Sequence, residues 1–444
     1  MRRLTETRRL WRQALIPALP RPAWIVLGGD FASAVGSGLT LPFLFVYAHL
    51  VRHLSDGIAG LVVATIALAS LAGNPIGGAL ADRWTPRRAL MAGLTVAAAG
   101  SAAVAMAGTA AELFAAAGLL GLGVAVIWPA QDALLAGLAG PIARSAVFAV
   151  RHATFNAGLG LGALAAAVVV SAAHPATFTA IYLADASTFL AFVPVLARLR
   201  RTAPTAGDQN PEGAAPSAGL PRTGYRQVLR DKAFVRVWLL TAVLVTISFG
   251  QSQASFTGFA TRPGGINPHG LALAFAANTL TVVLAQLLVL RWLGGRRRTT
   301  AAALAAIAWA ASWAVVIVAG QLGGGVAAVT AFAGAMIIFA LGECMLSPTL
   351  PAIINDLAPP AAAGRYNGLG VLAFTAGFLV GPAVGGVALG AGWGTGLFAG
   401  LMVACAGAAV AAFRLRHHLP AAANNFPAPD PGRPEPSAQP QPAS

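Results

Sequence analysis

Charge is what this sequence has least of. Asp, Glu, Lys and Arg make up only 10% of its 444 residues, against about 25% in an ordinary soluble domain, so it cannot clothe a water-facing surface. Cysteine is nearly absent. Cys344 and Cys405 both sit in apolar runs, which excludes a disulfide framework and a thiolate metal site. The seven histidines (His49, His53, His152, His174, His269, His417 and His418) show no His-Glu-x-x-His or comparable spacing. No Walker loop exists, and Gly158-x-Gly160 is no nucleotide loop because no strand precedes it. The expectations are therefore no metal, no cofactor, no enzyme activity and no ATP-driven step. Acids are scarcer than bases, 14 against 29, giving a net charge of +15. In a soluble protein that excess would suggest nucleic acid; the placement of the arginines gives another reason.

What the sequence does have is apolar length. Apolar residues are 57% of the chain, enough at ~20 residues per crossing for roughly twelve membrane helices. Long runs lie at about 23–47, 58–81, 89–108, 112–136, 147–171 and 177–197. A second set lies at about 233–260, 269–293, 300–320, 326–350, 366–390 and 393–413. Only helices and closed barrels satisfy every backbone group in lipid, and the ten-residue alternation of a barrel is absent. The reading is an all-α integral membrane protein of twelve transmembrane helices in two six-helix bundles.

Orientation follows from the basic residues. With the N-terminus in the cytoplasm, 27 Lys and Arg fall inside and only Arg52 and Arg262 outside. That split puts both termini in the cytoplasm of a plasma (inner) membrane, and makes the positive charge a matter of topology and anionic lipid rather than nucleic acid. Ala32-Ser33-Ala34 loosely resembles a cleavage site, but the apolar run continues past it, so the first span is read as uncleaved. The division expected is a basic cytoplasmic segment 1–22, a bundle 23–198, a linker 199–232, a second bundle 233–413 and a disordered tail 414–444. The linker contains Thr202–Gly224, rich in Ala, Pro and Gly; the tail is rich in proline.

Internal repetition supports two halves. At an offset of 219 residues Gly123 meets Gly342 and Pro129 meets Pro348. Pro141 meets Pro360, Phe155 meets Phe374, Gly158 meets Gly377, and Gly162 meets Gly381. Two parallel repeats with a site between them is a plan of secondary transporters. Between segments 2 and 3 the chain reads Gly77-Gly78-Ala79-Leu80-Ala81-Asp82-Arg83-Trp84-Thr85-Pro86-Arg87-Arg88. This resembles the signature loop of the major facilitator superfamily, G-x-L-A-D-R-x-G-R-[RK], with Thr85 and Pro86 in place of the glycine and a basic residue. The resemblance spans the whole chain. It implies a cytoplasmic gate made by Gly78, Asp82, Arg83, Arg87 and Arg88, with Asp82 facing the N-terminal end of segment 11. There a helix dipole favours negative charge. Alternatively the arginines are only topology anchors. Gly377, Gly381, Pro382, Gly385 and Gly386 resemble the drug/proton antiporter motif, usually found in segment 5, and are read as a bendable seam between halves.

Charges inside spans are costly, ~2.5–3.5 kcal/mol on insertion scales, and usually have a task. Asp30, Asp185 and Glu343 are such charges. In the family, segments 1, 4, 7 and 10 line the cavity. That favours Asp30 and Glu343 as proton carriers and leaves Asp185 a structural acid. Arg151 lies at a depth comparable to Asp30, so the two are expected to pair unless Arg151 snorkels to the cytoplasm. Asp132 is expected to pair with Arg83 and brace the gate. The arginine that many drug/proton antiporters carry in segment 4 is Ala117 here. Trp128, Gln131, Asn156, Gln251, Gln253 and Asn278 are candidate cavity residues, although amides more often join helices than touch ligand. The resemblance implies proton-driven export of amphiphilic or drug-like compounds by a monomer in the bilayer. Uptake of a nutrient, or a non-transporting receptor of the same fold, is the alternative.

Overall fold

A computed structural model describes residues 17–170, 174–199, 224–261 and 263–427. The stretch 1–16, most of the expected linker (200–223) and the tail beyond 427 lie outside the described residues. Twelve membrane helices follow in order: α1 (Arg21–Thr40), α2 (Asp56–Arg83), α3 (Pro86–Met106), α4 (110–139), α5 (141–169) and α6 (Ala176–Arg198). The second half has α7 (Lys232–Ile247), α8 (Pro268–Leu293), α9 (Arg298–Ala319), α10 (Gly325–Leu346), α11 (Ala363–Gly390) and α12 (Gly394–Leu415). The described residues contain no strand. The all-α fold in two six-helix halves expected from the sequence is the one observed.

Local sequence explains most of the ends. Asp231 caps α7 by accepting from the Ala233 and Phe234 N–H groups at 2.9 and 3.2 Å. Thr109 and Glu112 form a capping box at the start of α4. The departures Thr85 and Pro86 have a plain local role. Thr85 accepts from the Arg88 N–H at 3.2 Å, and Pro86 occupies the first turn of α3. Only one residue separates α4 from α5: Gly140 has φ +68°, a left-handed conformation that glycine adopts without cost. The first helix of each half is broken. Past Thr40 the chain continues through a 3-10 turn and a π turn (Tyr47–Val51), and past Ile247 through a π turn (Ser252–Phe256).

Each half has its own core. In the first half, Val26, Leu27, Leu90, Leu94, Phe148 and Phe189 are buried together; in the second, Trp309, Trp313, Phe332, Phe339 and Phe398 are. The repeat is visible in the packing. Gly158 of α5 lies against the Phe31 carbonyl, and a Cβ on Gly162 would sit 2.9 Å from Gly38 Cα. Their counterparts Gly377 and Gly381 of α11 lie against Val245 and Gly250, the latter 2.6 Å from a Cβ on Gly381. The seam is therefore α11 against α7, inside the second half and not between halves as expected. Small residues let two backbones approach, but nothing in their spacing names the partner. Pro382 lies inside α11, and nothing stands within 4 Å of a Cβ on Gly386.

The tail also departs from expectation. In its described part, up to Pro427, a turn Ala421–Asn424 docks on the start of α9, and Phe426 is 3% exposed. The Asn424 side chain accepts from the Thr299 N–H at 3.0 Å, and the Phe426 N–H donates to the Arg296 carbonyl at 2.9 Å. One buried aromatic and one capping amide outweigh the surrounding prolines.

Candidate functional site

The halves meet where the arginines gather, the end of the bundle carrying Arg83, Arg144, Arg298 and Arg365. Gly78 of α2 packs on α11, where a Cβ would collide with the Gly364 carbonyl and approach Gly368 Cα to 3.0 Å. Just beyond, Asp82 accepts from the Gly364 N–H (2.5 Å), the Arg365 N–H (3.0 Å) and the Arg365 guanidinium (2.8 Å). These donors are the first turn of α11, where orphan N–H groups and the helix dipole stabilise an anion. Asn74 donates to Thr375 Oγ1 at 2.8 Å further along the same pair of helices. Tyr225, just after the undescribed linker residues, donates to the Pro75 carbonyl. Burial pushes its hydroxyl up to about 12, so it stays protonated and donating at physiological pH.

The other gate residues are arranged differently. Arg83 is exposed at the last position of α2, and Arg365, which the sequence reading missed, is the cation that reaches Asp82. Arg87 donates to the Ala197 and Leu199 carbonyls at 2.6 and 3.0 Å, joining α3 to the end of α6 within one half. Arg88 is exposed at the start of α3. Asp132 does not pair with Arg83. It pairs with Arg151, because α4 turns back into α5 at Gly140 and brings the two side chains together.

A second junction also went unread. Asp356, at the end of the short helix Leu350–Leu357, is paired both with Arg144 at the start of α5 and with Arg298 at the start of α9. Arg144 further donates to the Asn355 carbonyl at 3.3 Å. Arg298, 1% exposed, also donates to Ser145 Oγ at 3.2 Å and to the Ala423 carbonyl of the docked tail at 2.9 Å. Loop arginines read as topology anchors are thus also contacts between halves.

Within the first half lies a cavity of about 140 Å³, lined only by residues of α1 to α6 and of the turn just after α1. Asp30, Trp128, Gln131 and Arg151 all line it, as does Asp185. Arg151 is 7% exposed, so it does not snorkel; its Nε is 3.5 Å from Asp30 Oδ2. The Arg151 guanidinium stands 4.5 Å from the Trp128 ring centroid, a contact worth ~2 kcal/mol once desolvated. One guanidinium therefore serves two carboxylates, Asp30 and Asp132. Asp185, read as structural, accepts from Ser101 Oγ at 2.8 Å and Thr40 Oγ1 at 3.4 Å, and the residue also lines the cavity that Asp30 lines.

The remaining candidates are scattered. Glu343 of α10 lies in the second half, where Asn278 of α8 donates to its Oε2 at 2.8 Å. Asn278 is thus the partner of an acid. Gln251 is 1% exposed and donates to the Gly381 carbonyl at 3.0 Å, joining α7 to α11 instead of lining a cavity. Asn156 donates to the His152 carbonyl of its own helix at 2.9 Å. The Gln253 side chain lies outside the described residues. His152 of α5 was not singled out by the sequence; it is 2.8 Å from Gln286 Oε1 of α8, a polar contact between halves. Among the described residues no group of His, Cys, Asp and Glu could hold a metal.

Two parallel six-helix halves, joined at one end by ion pairs and carrying buried acids, define a secondary transporter. The Major Facilitator Superfamily model matches residues 26–264 and 264–442, and the chain belongs to that family. It is 27% identical over 377 residues to the uncharacterized MFS-type transporter YttB of Bacillus subtilis (strain 168), covering 83% of this chain and 88% of that protein. It is 24% identical over 388 residues to a Na(+), Li(+), K(+)/H(+) antiporter of Planococcus maritimus, covering 80% and 87%. Among solved structures it is similar to the MFS transporter FucP in the outward conformation (TM-score 0.70, 12% identity, covering 90% of this chain and 98% of that one). The human organic anion transporter MFSD10 is also similar (TM-score 0.67, 14% identity, covering 88% and 98%).

Proposed function

We propose that this transporter exports small amphiphilic or drug-like compounds across the plasma membrane by exchange for protons. The arginine-rich end then faces the cytoplasm, in keeping with the 27 to 2 division of basic residues. The observation that carries the reading is the buried set Asp30–Arg151–Asp132. Two carboxylates around one guanidinium leave one negative charge in excess. A proton arriving on Asp30 neutralises it and releases Arg151 from one of its two partners. Asp82 and Asp356 hold the cytoplasmic end shut in this arrangement, so the half-bundles rock about the helix pairs α2/α11 and α5/α8.

The test is flux in vesicles holding the purified protein, with an imposed pH gradient, a fluorescent amphiphilic cation as probe and a trapped pH dye. Wild type is expected to move the dye against proton flow, and Asp30→Asn to abolish that coupling. Equal pH-driven dye movement in the variant removes the coupling role, and dye moving with the protons makes the protein an importer. A second reading, exchange of a metal cation for protons, draws on the excess of carboxylates and on the Planococcus maritimus relative. Na+ or K+ in place of the dye tests it in the same vesicles.

A further inference from the structure

The cavity inside the first half is lined by two acids of different helices, Asp30 and Asp185. Ser33 Oγ and Asp185 Oδ1 have no hydrogen-bond partner among the described residues, and both residues line this cavity together with Asp30, Gln131 and Arg151, of which Arg151 Nε faces Asp30 Oδ2 at 3.5 Å. Each is more than nine-tenths buried, Asp185 and Gln131 at 1% exposure and the others at 5–7%. Leaving such an atom unsatisfied costs about 1–3 kcal/mol. A carboxylate oxygen and a hydroxyl at one place describe a site whose occupant donates hydrogen bonds and can also accept one. A dry apolar ligand satisfies neither; water satisfies both. At ~30 Å³ per molecule the volume holds about four waters. The polar residues run along one stripe of α1, from Asp30 through Ser33 and Ser37 to Thr40, a rise of about 15 Å.

The far end of this stripe is Asp185. Its Oδ2 takes both hydroxyl donors, Ser101 and Thr40, and its Oδ1 takes none. The elements packed on α6 are α1 and α3. They present Thr40 and, further off, Asp30 from α1, and Ser101 from α3. The other titratable groups nearby are Tyr182 on α6 itself and Tyr47, whose ring centroid lies 5.5 Å from that of Tyr182. Arg151, the cation of the cavity, is shared by Asp30 and Asp132. No basic group is paired with Asp185 among the described residues, and an isolated buried carboxylate neutralises itself in preference to remaining charged. We infer that Asp185 is a second proton-binding site, carrying its proton on Oδ1 and exchanging it with Asp30 through a water-filled chamber. The step is proton transfer alone: the Asp185 O–H bond breaks, a chain of waters passes the proton on, and Asp30 Oδ2 receives it. Asp185 becomes the carboxylate held by Ser101 and Thr40.

This deepens the proton-coupled reading, and its test needs no substrate. Infrared difference spectra of the purified protein in phosphatidylcholine vesicles, in light and heavy water, report protonated buried carboxyls directly. Wild type is expected to show a protonated-carboxyl stretching band that shifts on deuterium exchange, and Asp185→Asn to lose it. In a second variant, Ser33→Leu, a bulky side chain plugs the chamber. The band should then remain while its deuterium exchange slows about tenfold or more, the retardation expected when access falls back on local opening. No Asp185-dependent band overturns the assignment, and unchanged exchange in Ser33→Leu overturns the water path. A band present in a protein without pH-driven flux upholds this site and sinks only the exporter reading; coupled flux without the band does the reverse.

Discussion

Replacing Asp356 with alanine should open the arginine-rich end of the protein. Arg298 and Asp356 both belong to the second half, so their bond survives any rocking motion, whereas the bond to Arg144 crosses between halves. Losing that charge-assisted bond takes away ~1.5–3 kcal/mol of closed-state preference. That is roughly a ten- to hundredfold shift of the closed-to-open ratio at 1.4 kcal/mol per decade. Spin labels on Ile142→Cys and Ala361→Cys, both exposed and on opposite sides of the junction, would read the distance between halves. The native Cys344 and Cys405 are buried and should label slowly. Asp356→Ala is expected to move population toward a longer distance. A distribution indistinguishable from wild type would refute the reasoning that this cluster holds the closed state.

Gly78→Leu should have a similar consequence by steric means, since even a Cβ there meets the Gly364 carbonyl. Maleimide labelling of cysteines placed on the facing surfaces of α2 and α11 should become faster, and unchanged rates would show that the helices can separate without opening. Phe426→Ala should free the docked tail, because truncating a buried Phe costs ~3–5 kcal/mol; limited proteolysis before Pro427 is expected to appear while the membrane bundle stays intact. Trp128→Ala should lower the melting temperature by removing the face on which Arg151 rests, with about 2 kcal/mol at stake. An unchanged melting temperature would mean that Asp30 and Asp132 hold Arg151 unaided.

What could be read beforehand depended on whether the information was local or additive. Twelve helices follow from apolar length, and the pairing of Asp30 with Arg151 follows from counting residues inward from the same end on two helices. The contact of Asp82 with the start of α11 was implied by family resemblance, not by its own surroundings in sequence. Asp356 could not be placed, because it sits in a connection and its partners come from the first turns of two helices distant in sequence. Asp132 was misassigned for the same reason: sequence distance to Arg151 says nothing until the turn at Gly140 is known. The glycines of α11 announced a close approach correctly, but spacing alone could not say that Gly250 was the partner. Gln251, a cavity candidate, joins α11 to the chain just after α7, the commoner of the two roles an amide can have and one that looks the same in sequence. In the tail, the abundance of proline obscured two residues, Asn424 and Phe426, that suffice to anchor it.

The joint at Gly140 has a mechanical consequence. A connection of one residue has no slack, and the Asp132–Arg151 pair ties its two arms together like a strut across an elbow. Any movement of the two arms would then be that of a crank of fixed angle. A displacement at Trp128 on one arm would be carried to the other, where Arg144, Ser145 and His152 touch the opposite half. Lengthening that joint by even a few residues would leave both arms helical and in place, yet uncouple what happens at mid-membrane from what happens at the rim.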